Sequence, residues 1–514
     1  MSHSRRVVII GAGMGGLAAA VDLAARGVEV TLLETQPQTG GKIHQRTVAG
    51  QGIDSGPTVI TMSWVFEDLL QAAGLRLEDL VSLEALPILA RHAWSDAEWL
   101  DLHADPRESA QAIGQFSGAD AARRFTQFMA ETRSLYLRLE AAYMRSSRPT
   151  IVSMGSSLGP RGLALLASIG PMQSLWTSLG RHFSDPRLRQ LFARYATYCG
   201  GSPWMAPATL SLIAFVETCG VWRAKGGMQA LAQGMTSAAQ RLGVVIHSGQ
   251  AVESILTEHG RAIGARRRDG ATFLADAVIF NGDAAALSAG LLGPDVVKAV
   301  EPQGISPRSL SAMTWSAVGR LEGRELDHHN VFFRPHYELE FQDVFNRQTL
   351  PQTPTIYLCA QDRGPGGLPP QTQERMLILI NAPATGDAPD RFTNETIQRA
   401  LRDVHNHMQA CGVGLHIEQE DIRCTTPSDF HQRFPATGGA LYGRAPHGWM
   451  SVFQRPSAET PIPGLFLAGG SAHPGAGVPM AALSGRLAAA TLMAHLDSTR
   501  RSHRVVISGG MSTA

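Results

Sequence analysis

The residues that most constrain this chain lie at its start. Val7-Val8-Ile9-Ile10 is an apolar run, and Gly11-Ala12-Gly13-Met14-Gly15-Gly16 is a turn of GxGxxG spacing. Leu17-Ala18-Ala19-Ala20 opens an apolar helix, and Val28-Glu29-Val30-Thr31-Leu32-Leu33 is a second strand that ends on Glu34. Glycine-rich turns are common, so the turn alone would say little. Strand, turn, helix, strand and acid in this order form the unit that binds the ADP half of a dinucleotide. Gly11 lets the chain turn off the strand, Gly13 removes a side chain from the path of the pyrophosphate, and Gly16 lets the helix pack closely on the sheet. Gly15 belongs to the same turn. The helix N-terminus then offers free N–H groups and a favourable dipole to a diphosphate. Glu34, about 20 residues past the turn, is placed to accept hydrogen bonds from the ribose hydroxyls.

The far end of the chain supplies a matching half. Ile462 to Gly485 reads as a short buried strand, a glycine-rich loop and the start of a helix running to about Leu496. No charge occurs between Glu459 and Arg486, a run long enough to raise the question of a membrane span. Its repeated glycines and prolines would break a spanning helix. Backbone pressed against a flat cofactor explains the glycines better, and Gly469, Gly470, Gly477, Val478, Pro479 and Met480 are the expected contacts. The chain therefore returns to its first domain near its end.

Directly after Glu34 come Gly40-Gly41-Lys42 and then Ile53-Asp54-Ser55-Gly56-Pro57-Thr58. An acid, a GG(R/K) turn and a D-x-G-P segment resemble the two-dinucleotide-binding flavoproteins, a superfamily that includes amine oxidases and carotenoid desaturases. Leu467-Ala468-Gly469-Gly470-Ser471 with His473-Pro474-Gly475-Ala476-Gly477-Val478-Pro479 resembles the C-terminal signature of bacterial-type phytoene desaturases. Gly200-Gly201-Ser202-Pro203, Lys225-Gly226-Gly227-Met228 and Asn281-Gly282-Asp283 carry further likeness, which runs from roughly residue 5 to 496. Phe434 to Arg444, above all Gly438-Gly439-Ala440-Leu441-Tyr442-Gly443, and His447-Gly448-Trp449-Met450 resemble the 1-hydroxycarotenoid 3,4-desaturase branch.

The resemblance implies FAD as cofactor, bound extended and non-covalently through the N-terminal domain. Its contacts would include Lys42, Gly40, Gly41, Gly56, Pro57, Thr58, Val252, Asn281 and Asp283 besides the two glycine loops. It also implies a reaction: desaturation of an acyclic 1-hydroxy- or 1-methoxycarotenoid at C3–C4, part of carotenoid biosynthesis in bacteria. Three alternatives share the scaffold. A phytoene desaturase has the same cofactor motifs and acts in several steps. An amine oxidase would need an aromatic cage at the flavin, which the aromatic-poor loop Ser471 to Met480 disfavours. A non-enzymatic lipid-escort protein could dispense with the phosphate-binding glycines, all of which are present here.

The expected fold is α/β: a Rossmann-like FAD-binding domain of the two-dinucleotide-binding type, interleaved with a mixed substrate domain and a helical subdomain. Residues 1–90, 225–290 and 441–497 are expected to build the FAD-binding domain. Residues 91–224 would form a mainly helical, membrane-facing subdomain, 291–440 a strand-rich substrate domain, and 498–514 a flexible tail. At 514 residues the chain exceeds what one simple core holds. Its 44% hydrophobic and 17% charged residues describe a globular protein with a generous apolar complement. A net charge of +1 offers no basic excess to displace counterions, so nucleic acid is not an expected partner. Five cysteines without CxxC spacing suggest neither a disulfide framework nor a zinc site, and no metal is expected.

Gly162 to Gly180 and Tyr195 to Val216 carry no charge. Glycines and prolines interrupt both, so they read as core helices or as the wall of an apolar tunnel resting on a bilayer surface. A long carotenoid is nearly insoluble in water, so a cytoplasmic protein held peripherally on the inner or photosynthetic membrane is expected. The electron acceptor, oxygen or a quinone, leaves no mark in the sequence. Two residues are candidates to accept the proton released in desaturation. His473 lies in the glycine loop expected at the flavin, with a loop-stabilising hydrogen bond as the competing role. Glu217 ends an uncharged run, with a helix-end or ion-pair role as its alternative.

Overall fold

A computed structural model describes residues 5–150, 159, 172–301, 308–365 and 373–505. Its first sheet is parallel throughout, in the order Leu465–Leu467, Ala277–Phe280, Arg6–Ile10, Glu29–Leu33, Val245–His247. Strand Arg6–Ile10 lies at its centre because Val7 to Ile10 are apolar on both faces, as a strand covered on both sides requires. Helix Met14–Ala25 covers one face and packs against the C-terminal helix Val478–Val505. Small residues make that crossing tight. A Cβ on Gly485 would sit 2.0 Å from the Gly15 carbonyl oxygen, and one on Gly15 would sit 2.9 Å from that of Ala481. The sheet thus joins chain ends more than 450 residues apart.

The second large sheet is mixed and runs Val413–His416, Ser311–Gly323, Glu374–Ala382, Ile356–Ala360, His329–Phe332, Ile88–Ser95, Glu98–His103, with Ile422–Thr425 also paired to Ser311–Gly323. Side chains alternate across it. Phe332, Ile356, Leu358, Met376 and Ile378 pack on one face with Val404 and Met408 of helix Asn394–Ala410. Val331, Phe333 and Tyr357 face the other way, toward Leu179, Leu191, Phe192 and Tyr195 of the helical region. Helices Pro106–Ser117 and Pro186–Ala193 of that region start on Asp105 and Asp185, each accepting from a backbone N–H two residues on with proline at the first turn.

Two expected boundaries need correction. The division at residue 91 falls inside strand Ile88–Ser95, whose hairpin with Glu98–His103 extends the second sheet instead of opening the helical region. Helix Val478–Val505 runs past residue 498, so the start of the expected tail is helical. Residues 506–514 lie outside the described residues, as does the part of the uncharged stretch Gly162 to Gly180 up to Pro171.

Candidate functional site

The glycine turn and the C-terminal loop meet at Asn281. This residue follows strand Ala277–Phe280; its N–H donates to Ile10 O at 2.8 Å and its Nδ2 to Gly11 O at 3.0 Å. Its Oδ1 lies where a Cβ on Gly15 or Gly469 would come within 2.5 or 2.8 Å, and it has no hydrogen-bond partner among the described residues. The glycines of the turn differ in what they do. A Cβ on Gly16 would sit 2.0 Å from Gly11 O, so Gly16 serves packing. Gly13 has an extended backbone that any residue adopts, and a Cβ there would meet only the Asn281 amide at 3.1 Å and Gly41 Cα at 3.8 Å. Helix Met14–Ala25 has no side-chain cap bond and no acid in its first turn. Its first N–H groups are therefore left for an external anion.

Glu34 is buried beside the turn, where Oε2 accepts from Ala12 N at 2.6 Å and Oε1 from Gln36 N at 2.8 Å. Each oxygen keeps a lone pair for a further donor. Gly40 N donates to Ala12 O at 2.8 Å, and a Cβ on Gly41 would lie 2.8 Å from Gly13 Cα, so the second glycine pair closes one side of the cradle by backbone contact. An extended diphosphate-bearing group fits this arrangement: open N–H donors, a buried carboxylate, and backbone walls that side chains would fill.

The remaining expected contacts lie on several elements. Gly470 O accepts from Arg455 Nη1 at 2.8 Å, and Gly477 opens helix Val478–Val505, with Pro479 in its first turn and Met480 packed on the first core. Gly56 is required by the Lys42 carbonyl, 1.9 Å from where its Cβ would be. Pro57 follows it, and Thr58 Oγ1 bonds the Tyr357 hydroxyl at 2.6 Å. The Lys42 ammonium is buried, donates to Leu441 O, and lies 5.4 Å from the Phe434 ring centre. Burial lowers its pKa, partly offset by the Asp283 charge. Asp283 itself caps helix Ala284–Ser288 through Ala285 N. Val252 starts a strand of a separate three-stranded sheet, tied in by Gln250 N donating to Glu34 O at 3.3 Å.

The two candidate proton acceptors are both tied up. His473 Nε2 donates to Ser146 O at 2.8 Å and to Tyr143 O at 3.1 Å, and its ring meets Tyr143 edge-on. Burial pushes its pKa down to about 4. These bonds fasten the glycine loop to the segment that follows helix Ala119–Leu139. Glu217 accepts from Tyr195 OH at 2.6 Å and Tyr198 OH at 2.8 Å inside a cluster with buried Arg194. It is a structural partner in that cluster.

Sequence reasoning missed two residues here. Arg455 is half-buried against the C-terminal loop, donating to the carbonyls of Gly470, Tyr442 and Arg444. Asp54, quoted only as part of a motif, accepts from Met228 N at 2.6 Å at the start of helix Met228–Arg241 and so joins two FAD-domain segments. Its position after a strand and the Gly226-Gly227 turn offered a signal; Arg455 had none. The Gly438 to Gly443 segment links the substrate sheet to the loop: Tyr442 N donates to Ser309 Oγ, and Gly443 lies against Ser471. Gly200 closes on Tyr442, with 2.6 Å from its would-be Cβ to the ring.

A parallel sheet with this cradle, closed by a returning C-terminal strand, defines a dinucleotide-binding flavoprotein. The chain matches the flavin-containing amine oxidoreductase family over residues 14–493 and belongs to it, as an FAD-dependent oxidoreductase. Within that class it belongs to the bacterial-type carotenoid desaturases. It is 53% identical over 512 residues to hydroxyneurosporene desaturase of Rubrivivax gelatinosus, covering 99% of this chain and 97% of the relative. With the hydroxyneurosporene desaturase of Cereibacter sphaeroides the identity is 42% over 499 residues, or 96% and 99% of the two chains. Putrescine oxidase has a similar fold, with a TM-score of 0.62 at 15% identity over 96% of this chain and 99% of its own.

Proposed function

We propose that the protein desaturates acyclic 1-hydroxy- or 1-methoxycarotenoids at C3–C4. The observation that carries this reading is the 53% identity to a hydroxyneurosporene desaturase across almost the whole of both chains, over a cradle that keeps every glycine the cofactor needs. Gly11, Gly13, Gly15, Gly16 and Glu34 would hold the ADP half of FAD; Gly40, Gly41, Lys42, Gly56, Pro57, Thr58, Val252, Asn281, Asp283, Gly469, Gly470, Gly477, Val478, Pro479 and Met480 would build the rest of the site. When bound, FAD supplies a two-electron acceptor for a hydride from carbon. The protein's share is orientation and a dry wall. Val331, Phe333, Tyr337, Phe341 and Phe192 pack together in the apolar core between the second sheet and the helical region, where such a wall would be built.

A tertiary hydroxyl on a hydrocarbon chain needs a polar partner in such a wall, and Arg194 suits the task. It is buried, its guanidinium lies 4.9 Å from the Tyr198 ring centre, and its Nε has no hydrogen-bond partner among the described residues. Sites that pair a substrate hydroxyl reject analogues lacking it by roughly 10⁴-fold in favourable cases. Purified protein with liposomes, incubated in parallel with phytoene, neurosporene and 1-hydroxyneurosporene, tests the reading by pigment analysis. The hydroxylated substrate should gain a double bond and phytoene should be unchanged. Stepwise conversion of phytoene with no turnover of the hydroxylated compound would instead assign a phytoene desaturase.

A peripheral stance on the cytoplasmic side of the membrane belongs to the same reading. Met172, Met205 and Trp449 are 78%, 49% and 43% exposed. Backbone bonds gather their segments: Gly448 N donates to Met205 O at 2.8 Å, and Leu175 N to Ala206 O at 2.8 Å. Trp176 and Trp204 stack beside them, with Arg189 over Trp176. Aromatic and methionine side chains rimmed by arginine suit a headgroup boundary. No helix among the described residues is long and apolar enough to cross a membrane. Oxygen or a membrane quinone would reoxidise the flavin.

A further inference from the structure

Antiparallel pairing of His329–Phe332 with Ile356–Ala360 sets His329 directly opposite Cys359. His328, just before the first strand, turns its ring against that of His329, with centroids 4.6 Å apart and planes at 74°. All three side chains are buried. One ring nitrogen of each histidine and Cys359 Sγ lie within 4.8 Å of one another, and His328 Nε2 is 3.6 Å from the sulfur. Zinc bonds of about 2.0–2.1 Å to nitrogen and 2.3 Å to sulfur, set at a tetrahedral angle, separate two such ligands by about 3.6 Å. The His328–Cys359 spacing is thus already that of two ligands on one ion, and side-chain rotation brings in the third.

The hydrogen bonds around the imidazoles are those of an outer shell. His328 Nδ1 lies 3.0 Å from Arg363 O, which can only accept, so Nδ1 carries the proton and Nε2 turns a lone pair toward Cys359. His329 Nδ1 pairs with Tyr357 OH at 2.8 Å, and that hydroxyl with Thr58 Oγ1 at 2.6 Å. His329 Nε2 is buried with no hydrogen-bond partner among the described residues. An imidazole anchored through one nitrogen with the other left bare is how metal-ligating histidines are held. A ligated ion would satisfy that unpaired nitrogen.

The cluster can be reached from solvent. A cavity of about 280 Å³ touches His328 and Cys359 and is lined further by Thr58, Asp54, Glu84, Arg223, Lys225, Asp362 and Arg375. Two of its arginines are already paired, Arg223 with Glu84 and Arg375 with Asp362.

We propose that His328, His329 and Cys359 bind one thiophilic divalent cation, zinc, with its fourth position facing the cavity. Two imidazoles and a thiolate select a soft ion over magnesium or calcium. As the zinc–sulfur bond forms, the thiol proton leaves to solvent, so the ion's two positive charges are met by one thiolate. Spacing along the chain pointed away from zinc because the ligands come from a cross-strand pair and its neighbour.

The test is made on the FAD-loaded protein, equilibrated with zinc and passed through gel filtration. Elemental analysis should find about one zinc per chain, lost in Cys359→Ser and His328→Ala and kept in Cys424→Ser and His103→Ala. X-ray absorption at the zinc edge of the wild type should show one sulfur at about 2.3 Å with nitrogen at about 2.0 Å. No retained zinc, zinc that persists in Cys359→Ser, or a zinc site without sulfur would each overturn the proposal. The absorption measurement needs only the wild type, so it stands if a variant fails to fold.

Discussion

Replacing Gly13 by alanine should separate cofactor binding from folding. The backbone there, with φ −71° and ψ 174°, is open to any residue. The added Cβ would press on the Asn281 amide at 3.1 Å, which has to give by a few tenths of an ångström, and would otherwise meet nothing nearer than 3.8 Å. Without FAD the variant should therefore lie within about 1 kcal/mol of the wild type. With FAD, the methyl stands between the diphosphate and the free N–H groups of helix Met14–Ala25. Losing two charge-assisted hydrogen bonds at about 1.5–3 kcal/mol each weakens binding by about 3–6 kcal/mol, roughly 10²- to 10⁴-fold in Kd. Gly16→Ala is the contrast: its Cβ would lie 2.0 Å from the Gly11 carbonyl oxygen, and such overpacking against backbone costs about 3 kcal/mol or more whether or not FAD is present. Fluorescence titration of the apoprotein with FAD reads the first effect, and denaturant melts of the apoprotein read the second. If Gly13→Ala binds FAD as the wild type does, or melts as low as Gly16→Ala, the assignment of this glycine to the ligand is wrong.

Other outcomes follow from the same geometry. Burial pushes the Glu340 carboxyl, which accepts from Thr355 and Asn381, from 4.5 up to about 7. A raised folded-state pKa means its stabilisation is full below about pH 4.5 and lost as pH rises through 7, a change of about 3 kcal/mol. The stability difference between wild type and Glu340→Gln should shift by that amount between pH 4.5 and 8, and a flat difference would refute it. His473→Ala should cost about 1–3 kcal/mol and some FAD retention while the loaded enzyme keeps turnover within about tenfold; a loss of 10²-fold or more at unchanged stability would restore the proton-acceptor role. Changing Met172, Met205 and Trp449 together to serine should reduce co-sedimentation with anionic liposomes without lowering the melting temperature, and unchanged sedimentation would remove this face from membrane contact.

The cofactor half of the protein was legible because its motif is contiguous. Strand, glycine turn and helix follow one another within residues 7–20, although only Gly16 of that turn answers to a neighbour close in sequence, the Gly11 carbonyl, while Gly11, Gly13 and Gly15 lie against Asn281. The substrate half was less so. The hairpin Ile88–Ser95 and Glu98–His103 reads like the rest of an apolar chain, and only its parallel pairing with His329–Phe332 places it in the second sheet. Arg455 lies among polar residues that look like an exposed turn, yet it is half-buried because three carbonyls of two separate segments converge on it. His473 and Glu217 were chosen for their chemistry, and both turned out to be spent on neighbours that sequence spacing does not show. Pairing across a sheet is likewise what joins His329 to Cys359.

That the cradle is assembled from distant segments has an energetic consequence. Ala12, Glu34, Gly40, Asn281 and Gly469 all meet within it, and Asn281 alone bonds the first strand and the glycine turn while lying against the C-terminal loop. A ligand that binds only this assembled form stabilises it by about 4 kcal/mol at a thousand times its Kd. Variants that touch no part of the ligand but loosen the seating of the C-terminal helix, such as those at Gly485 behind Gly15, should therefore release FAD as readily as variants that touch it. Loss of yellow colour on purification is then a poor guide to which residues contact the flavin. Only positions such as Gly13, where the protein itself has no need of glycine, report on the contact directly.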